Sequence, residues 1–401
     1  MIIPFTTTEH PSSRSNTLRL LFANEKLSRK DVATALNIST AAVTPIINDL
    51  HREGIIELIN DSDGSTNSVG RRQSYFQINK NWKHVLALNI YPDYIYYAVT
   101  NLIGETLYQE KVQNILLDDE QLWIQQIAYH CIDLLRQRAI PMTQIIGVGI
   151  TIVGPVNHEE GIALHPFNMF DHPVPIKEYF EKYLPCPVAI ESNVCASLRS
   201  ELLFRRNIQN CQNVIMLKWG PGIGSALSIN GHNYKGYNYQ SSEIGHNTFS
   251  SSIGKKCRCG RCGCLETLIS EDAMIHHITR YINDHRDPDL NCLAANLGMP
   301  SSENIMQYAD QPPALLKEYL TGCIKKLSLA TNNAIMLMSP EKIVLVGKFF
   351  MCDWIFEVFI NDIFEKNPLL NKELFIRSYM EQNRTFIGAT TIAIENAIAR
   401  Q

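Results

Sequence analysis

The sequence predicts an α/β chain in which a small helical head precedes two lobes, each opening on strands and closing on helices. Three observations carry this. Apolar residues recur with helical spacing through residues 16–50 and then alternate as in strands. Buried-type strand runs at 85–90, 145–154, 214–218 and 342–346 are separated by longer stretches, including a helical one at 116–138. The charge is uneven: residues 1–83 hold ten Lys/Arg against eight Asp/Glu, and the rest of the chain holds 26 against 32. A mildly basic head on an acidic body points to an anionic partner for the head.

The head comes first. Asn16 to Ala23 is a short amphipathic stretch with Leu18, Leu21 and Phe22 on one side. Ser28 and Asp31 stand at capping-box spacing ahead of Val32, Ala33 and Leu36, which predicts a second helix. After a tight connection at Asn37 to Ser39, Val43, Ile46, Ile47 and Leu50 mark a third helix, and Gly54 closes it. Pro45 interrupts this pattern: either the helix kinks, or Thr44 caps a shorter helix starting at Pro45. Ile55 to Ile59 and Ser74 to Ile78 read as strands around a polar loop, residues 60–72. This order is that of a winged helix-turn-helix.

The body starts near His84. Residues 85–90 and 94–100 read as antiparallel strands, and 145–154 as a buried strand running into a Gly-Pro loop. Val188 to Ile190 is a short strand before a helix from Val194 to about Phe204, and 214–218 with 223–229 forms a second hairpin. The longest nearly uncharged apolar run, Ile145 to Val156, is too short to span a bilayer, and the first ten residues lack the pattern of a secretory signal. At 401 residues with 45% apolar and 19% charged residues, the chain is neither disordered nor fibrous, and a cytoplasmic protein is expected. The formal charge of −4 argues against coating nucleic acid along the whole surface.

Four of the eleven cysteines, Cys257, Cys259, Cys262 and Cys264, fall within eight residues, and His246 lies eleven residues before the first. Thiolates with an imidazole suit tetrahedral zinc. Lys255, Lys256, Arg258 and Arg261 offset thiolate charge.

The segments at 28–56, 70–72, 147–156, 191–196, 220–231, 241–246 (SSEIGH) and 257–266 (CRCGRCGCLE), in this order, resemble the ROK family of sugar-responsive repressors and sugar kinases, and in particular the branch carrying a DNA-binding head. The resemblance implies a winged helix-turn-helix followed by a two-lobed actin-like (ribonuclease H-like) ATPase fold. It implies domains at 1–83, at 84–195 completed by about 381–401, and at 196–380 with the zinc loop. It selects His246, Cys257, Cys259 and Cys264 as ligands of one structural zinc per subunit, with Cys262 a competing fifth candidate. It implies ligand contacts from Gly154, Asn193, Glu243, His246 and Glu266, with His246 giving one ring nitrogen to zinc and aiming the other at a sugar.

The same resemblance exposes losses. The family's catalytic base is an Asp, and the matching position here is Asn193, whose amide cannot take a proton. Ser192 replaces a sugar-contacting Asn. The first phosphate loop reads Asn89-Ile90-Tyr91-Pro92-Asp93, and the second has Pro221 where family kinases have Thr. A late Gly-Gly reads Gly347-Lys348. No catalytic residue is therefore expected.

In the head, Thr40, Thr44 and Asn48 are expected to face DNA beside Ala41 and His51. Electrostatic grip is expected from Arg29, Lys30 and Arg52 and from Arg71 and Arg72 in the wing. The expectation is a sequence-specific transcriptional regulator of sugar metabolism, acting as a repressor. It would be a homodimer or dimer of dimers on double-stranded operator DNA, answering to a sugar or sugar derivative without inserting in a membrane. The alternatives are a cytoplasmic sugar kinase and a repressor governed by a protein partner.

Overall fold

A computed structural model describes residues 12–399 apart from 60–73, 206–207, 209–210, 250–254 and 381–383. In the head, α1 (Ser13–Ala23) starts where the Ser12 side chain accepts from the Ser15 amide. Strand β1 (Leu27–Ser28) leads into α2 (Arg29–Leu36), whose capping box is formed reciprocally by Ser28 and Asp31. Helix α3 (Thr40–Arg52) is capped by Ser39, which accepts from the Ala42 amide. Pro45 lies inside α3, so neither the shorter helix nor a Thr44 cap is present: Thr44 instead gives its hydroxyl to the Thr40 carbonyl at 2.8 Å. The helix ends in a Schellman turn, with Gly54 donating to His51 and Ile55 to Leu50. Gly54 takes φ +79°, the left-handed region that favours glycine. Strands β2 (Ile56–Ile59) and β3 (Tyr75–Ile78) pair antiparallel, and β1 adds to the far side of β3. Leu21, Val32, Val43, Ile47, Leu50 and Ile56 form the head's core. The wing loop, with Arg71 and Arg72, lies outside the described residues.

The chain divides into two compact units, one of residues 1–212, 230–233 and 380–401, the other of 213–229 and 234–379. In the first, the sheet runs β10–β7–β4–β5–β6. Its strands are β4 (His84–Ile90), β5 (Tyr94–Asn101), β6 (Thr106–Gln113), β7 (Ile145–Ile152) and β10 (Val188–Ser192). The β4–β5–β6 meander is antiparallel, whereas β7 and β10 are parallel neighbours of β4. Helix α4 (Glu120–Gln137), capped by Asp119, α5 (Ile176–Glu181) and the short pair β8 (Val156–Asn157) and β9 (Ile162–Ala163) surround one face. Helix α6 (Asn193–Phe204) and the C-terminal helix (Ile387–Ala399) pack on the other. The approach is close: a Cβ on Gly149 of β7 would stand 1.8 Å from the Ala389 carbonyl oxygen.

The head shares its core with this unit. Phe22 of α1 meets Phe204 of α6 edge-on at 6.0 Å, and Leu203, Phe386, Ile394 and Ile398 belong to the same buried cluster as Leu18 and Leu21. Beside this contact lies a buried ionic group. Arg199 Nε donates to Glu395 Oε2 at 2.5 Å, its Nη1 lies 3.5 Å from Glu191 Oε2, and Arg19 of the head is 8% exposed near Glu395.

The second unit repeats the theme. Strands β11 (Val214–Trp219) and β12 (Ile223–Ile229) form an antiparallel hairpin, and β13 (Lys342–Val346) and β14 (Phe375–Arg377) extend it in parallel, in the order β12–β11–β13–β14. Helices α7 (Glu266–Ile269), α8 (Glu271–Asn283), α9 (Ala314–Met338) and α10 (Asp353–Lys366) bury Trp219, Phe349, Phe350 and Phe359 with the sheet. Trp219 Nε1 donates to the Ile269 carbonyl at 2.8 Å, which ties α7 to the hairpin end.

Candidate functional site

The second unit gathers the cysteine cluster. A 3-10 turn, Ile244–His246, carries His246, and the loop that follows folds back as a hairpin. Thr248 opposes Cys264, Lys256 opposes Cys262, and the Cys257 amide donates to the Arg261 carbonyl at 2.8 Å. The ligand atoms of His246, Cys257, Cys259 and Cys264 all lie within 4.8 Å of one another, so these four could hold a metal ion. Cys262 faces solvent opposite Lys256 and is not among them. His246 turns Nδ1 toward Cys257 Sγ, 3.6 Å away, and Nε2 toward Glu243 Oε2, 3.8 Å away. Burial pushes the thiols of Cys257 and Cys264 up, the latter to about 12, and holds the His246 imidazole down. A cation entering here must displace thiol protons, so its affinity rises with pH.

Glu266 opens α7 directly after the last cysteine and is buried. Its Oε2 accepts from the Ile223 amide at 3.0 Å and from Arg258 Nη2 at 2.9 Å, and Arg258 Nε reaches Oε1 at 2.9 Å. Glu243 is held up to about 7 by burial and by the charge of Glu266, against the pull of Arg261 and Arg258. Glu243, His246 and Glu266 thus form one group with the cysteines. Sequence reasoning treated Arg258 as diffuse compensation for thiolate charge and missed its fork on Glu266. The only signal was a guanidinium between two cysteines.

Other expected residues are placed as follows. In the first unit, Asn193 is the first residue of α6, and Gly154 follows β7 with φ +105°. Glu191 is fully buried and accepts from the Ser192 amide at 2.8 Å. The segment from Asn89 is a tight strand turn: Thr151 donates to Asn89 at 2.7 Å, Tyr96 meets Tyr91 and Tyr94 edge-on, and Lys111 lies over the rings of Tyr94 and Tyr96. In the second unit, Lys348 Nζ binds the buried Glu271 at 2.8 Å and the Ser302 carbonyl at 2.7 Å.

On α3, Thr40, Ala41 and Asn48 are exposed and Thr44 is half-buried. Arg29 Nη2 donates to Asn48 Oδ1 at 2.9 Å, while its guanidinium lies over Phe76 at 4.7 Å. Arg52 pairs with Asp49 at 2.9 Å, and Lys30 is exposed. His51 is exposed, and its Nδ1 lies 3.1 Å from the Ile56 carbonyl oxygen.

A helix-turn-helix with a wing and two units of the same strand–helix pattern define an actin-like kinase fold with a DNA-binding head. The ROK family profile matches residues 85–396, and the winged helix-turn-helix DNA-binding profile matches 13–57. The chain belongs to the ROK family. It is 23% identical over 366 residues to a xylose repressor of Caldicellulosiruptor bescii, covering 90% of this chain and 88% of that protein. A crystal structure of a ROK family transcriptional regulator, a homolog of the E. coli Mlc protein, superposes with a TM-score of 0.77 at 22% identity, over 97% of this chain and 98% of the other. A ROK glucokinase from Streptomyces griseus, in complex with glucose and AMPPNP, superposes with a TM-score of 0.63 at 18% identity, over 77% and 98%. Among the described residues no helix is long and apolar enough to cross a membrane.

Proposed function

We propose that this protein is a sugar-responsive transcriptional repressor whose kinase-like body binds a sugar, or a close derivative, without phosphorylating it. One observation carries the reading: Glu243, His246 and Glu266, to which the resemblance gives hydroxyl contacts, stand together, while the position to which it gives the catalytic base holds Asn193. An amide cannot accept the proton of an attacking hydroxyl. The tyrosine stack at 91–96 and the tether of Lys348 to Glu271 further support a body without nucleotide chemistry. Similarity to a xylose repressor makes a pentose or hexose the first effector to try. The division into a head of 1–83 and two lobes belongs to this reading, with the first lobe extended to Gln212 to follow the compact units. So do a cytoplasmic location and a homodimer on a pseudo-palindromic site.

The four-residue cluster fits zinc. Tetrahedral zinc with bonds of about 2.3 Å to sulfur and 2.0 Å to nitrogen separates two sulfurs by roughly 3.8 Å and a sulfur from a nitrogen by roughly 3.5 Å. Cys259 and Cys264 Sγ stand 3.7 Å apart, and Cys257 Sγ stands 3.6 Å from His246 Nδ1. With four protein ligands the ion would be structural. His246 would then hold its ring with Nε2 facing Glu243 and the sugar.

A coupled ADP-release assay run beside calorimetry, over a panel of pentoses, hexoses and N-acetyl hexosamines, tests the reading. Heat of binding without ADP release is expected. ADP release with any sugar would favour the kinase reading, which the glucokinase likeness motivates. Neither signal at millimolar sugar would favour control by a protein partner.

A further inference from the structure

We infer that Arg258 is a positioning residue for Glu266, and that Gly222 is glycine to make room for this ion pair and not to cradle an anion. The inference rests on the reading of Glu266 as a sugar contact. The metal hairpin projects Arg258 from between two of its cysteines onto α7, where Nε and Nη2 engage one oxygen each, both at 2.9 Å. The Ile223 amide adds a third donor, to Oε2 at 3.0 Å. A carboxylate offers about four acceptor sites, so Glu266 keeps a single one, on Oε1. It is therefore suited to one hydroxyl of a neutral polyhydroxy ligand, and it is held in place from two sides.

Gly222 reports on the same pair. A Cβ built there lies 2.5 Å from Arg258 Nη2 and 2.6 Å from Glu266 Oε2, with no backbone atom among its three nearest neighbours. Its φ is not in the left-handed region, so space and not conformation demands glycine. What opposes a methyl group at 222 is thus the fork of Arg258 on Glu266. The loop 220–222 has a present-day reason for its glycine that involves no phosphate. The consequence is a link from the metal loop to the ligand: the hairpin that gathers the cysteines also aims the acceptor.

The test uses the full-length protein and four variants: Gly222→Ala, Arg258→Ala, Arg258→Lys and the double Gly222→Ala/Arg258→Ala. Gly222→Ala is expected to lower the melting temperature by about 3 °C or more in the wild-type background and by at most about half as much when Arg258 is already alanine, where Glu266 is held only by the Ile223 amide and can swing aside. Each variant is expected to keep its metal content by elemental analysis. Calorimetry with D-xylose, D-glucose and N-acetylglucosamine is expected to show at least tenfold weaker binding for Arg258→Ala and partial recovery for Arg258→Lys. Equal cost of Gly222→Ala in both backgrounds would overturn the inference. So would metal loss in Arg258→Ala, or unweakened sugar binding by it. If the wild type binds none of the three sugars, the sugar reading fails, and the Gly222/Arg258 cycle decides this inference by itself.

Discussion

Glu395→Gln is a demanding perturbation because Glu395 stands between the head and the body. The residue is 2% exposed, its Oε2 takes Arg199 Nε at 2.5 Å, and its Oε1 has no hydrogen-bond partner among the described residues. The local charges are balanced: Arg19 and Arg199 face Glu191 and Glu395. Burial lowers the pKa of Arg19, and the charge of Glu395 opposes that shift. Glutamine keeps the shape and an acceptor but leaves one buried guanidinium charge unbalanced. A charge-assisted bond is worth about 1.5–3 kcal/mol, and breaking a buried pair outright costs about 3–5 kcal/mol. Glu395→Gln should therefore cost about 2–3 kcal/mol, a factor of roughly 30–150 in the unfolding equilibrium. Adding Arg19→Met removes the excess charge and should recover at least about 1 kcal/mol. Urea unfolding of the single and double variants, followed through the first transition, measures both. A loss below about 0.5 kcal/mol for Glu395→Gln, or strict additivity in the double variant, would mean that Glu395 does not balance the charge of Arg19.

Other outcomes follow from the same geometry. Elemental analysis should find about one zinc per chain, and Cys257→Ser or exhaustive chelation should remove it and expose the loop around His246 to proteolysis. Asn48→Ala should cost about 1–3 kcal/mol against the preferred duplex and little against random DNA, measured by competition binding. Arg29→Ala should reproduce part of that loss, because Arg29 holds Asn48 Oδ1. Changing Arg71 and Arg72 together to alanine should reduce the log–log salt slope of DNA binding by up to about two, and an unchanged slope would remove the wing from the interface.

Much of the head was legible because short-range chemistry dictates it. Ser28 with Asp31 formed the box their spacing requires, and Gly54 took the left-handed position that ends α3. The strands at 214 and 342 were legible as apolar runs of strand length. The strand Thr106–Gln113 was not, because an edge strand exposed along most of its length carries no apolar alternation. Strand β1 has two residues and no periodicity to read. Pro45 left two readings open, and the Ser39 cap, a local contact ahead of Thr40, removes the one that starts the helix at Pro45. The four residues that could hold a metal ion were legible as a group, and the hairpin register that sets Cys262 opposite Lys256 leaves it outside that group. The Arg199–Glu395 bond joins residues 196 positions apart, and the fork of Arg258 on Glu266 depends on how α7 docks. Neither has a sequence signature.

Fluorescence anisotropy on a duplex selected from random sequence, with and without each sugar of the panel, measures whether a sugar controls DNA binding. A sugar-responsive repressor binds the selected duplex tightly and shifts its Kd by at least about tenfold with one sugar at millimolar concentration. That shift corresponds to about 1.4 kcal/mol of differential binding between two states. It should be absent in Glu243→Gln, whose DNA affinity without sugar should stay near that of the wild type. A Kd that no sugar moves, or a selected duplex bound no better than random DNA, would contradict a sugar-responsive repressor.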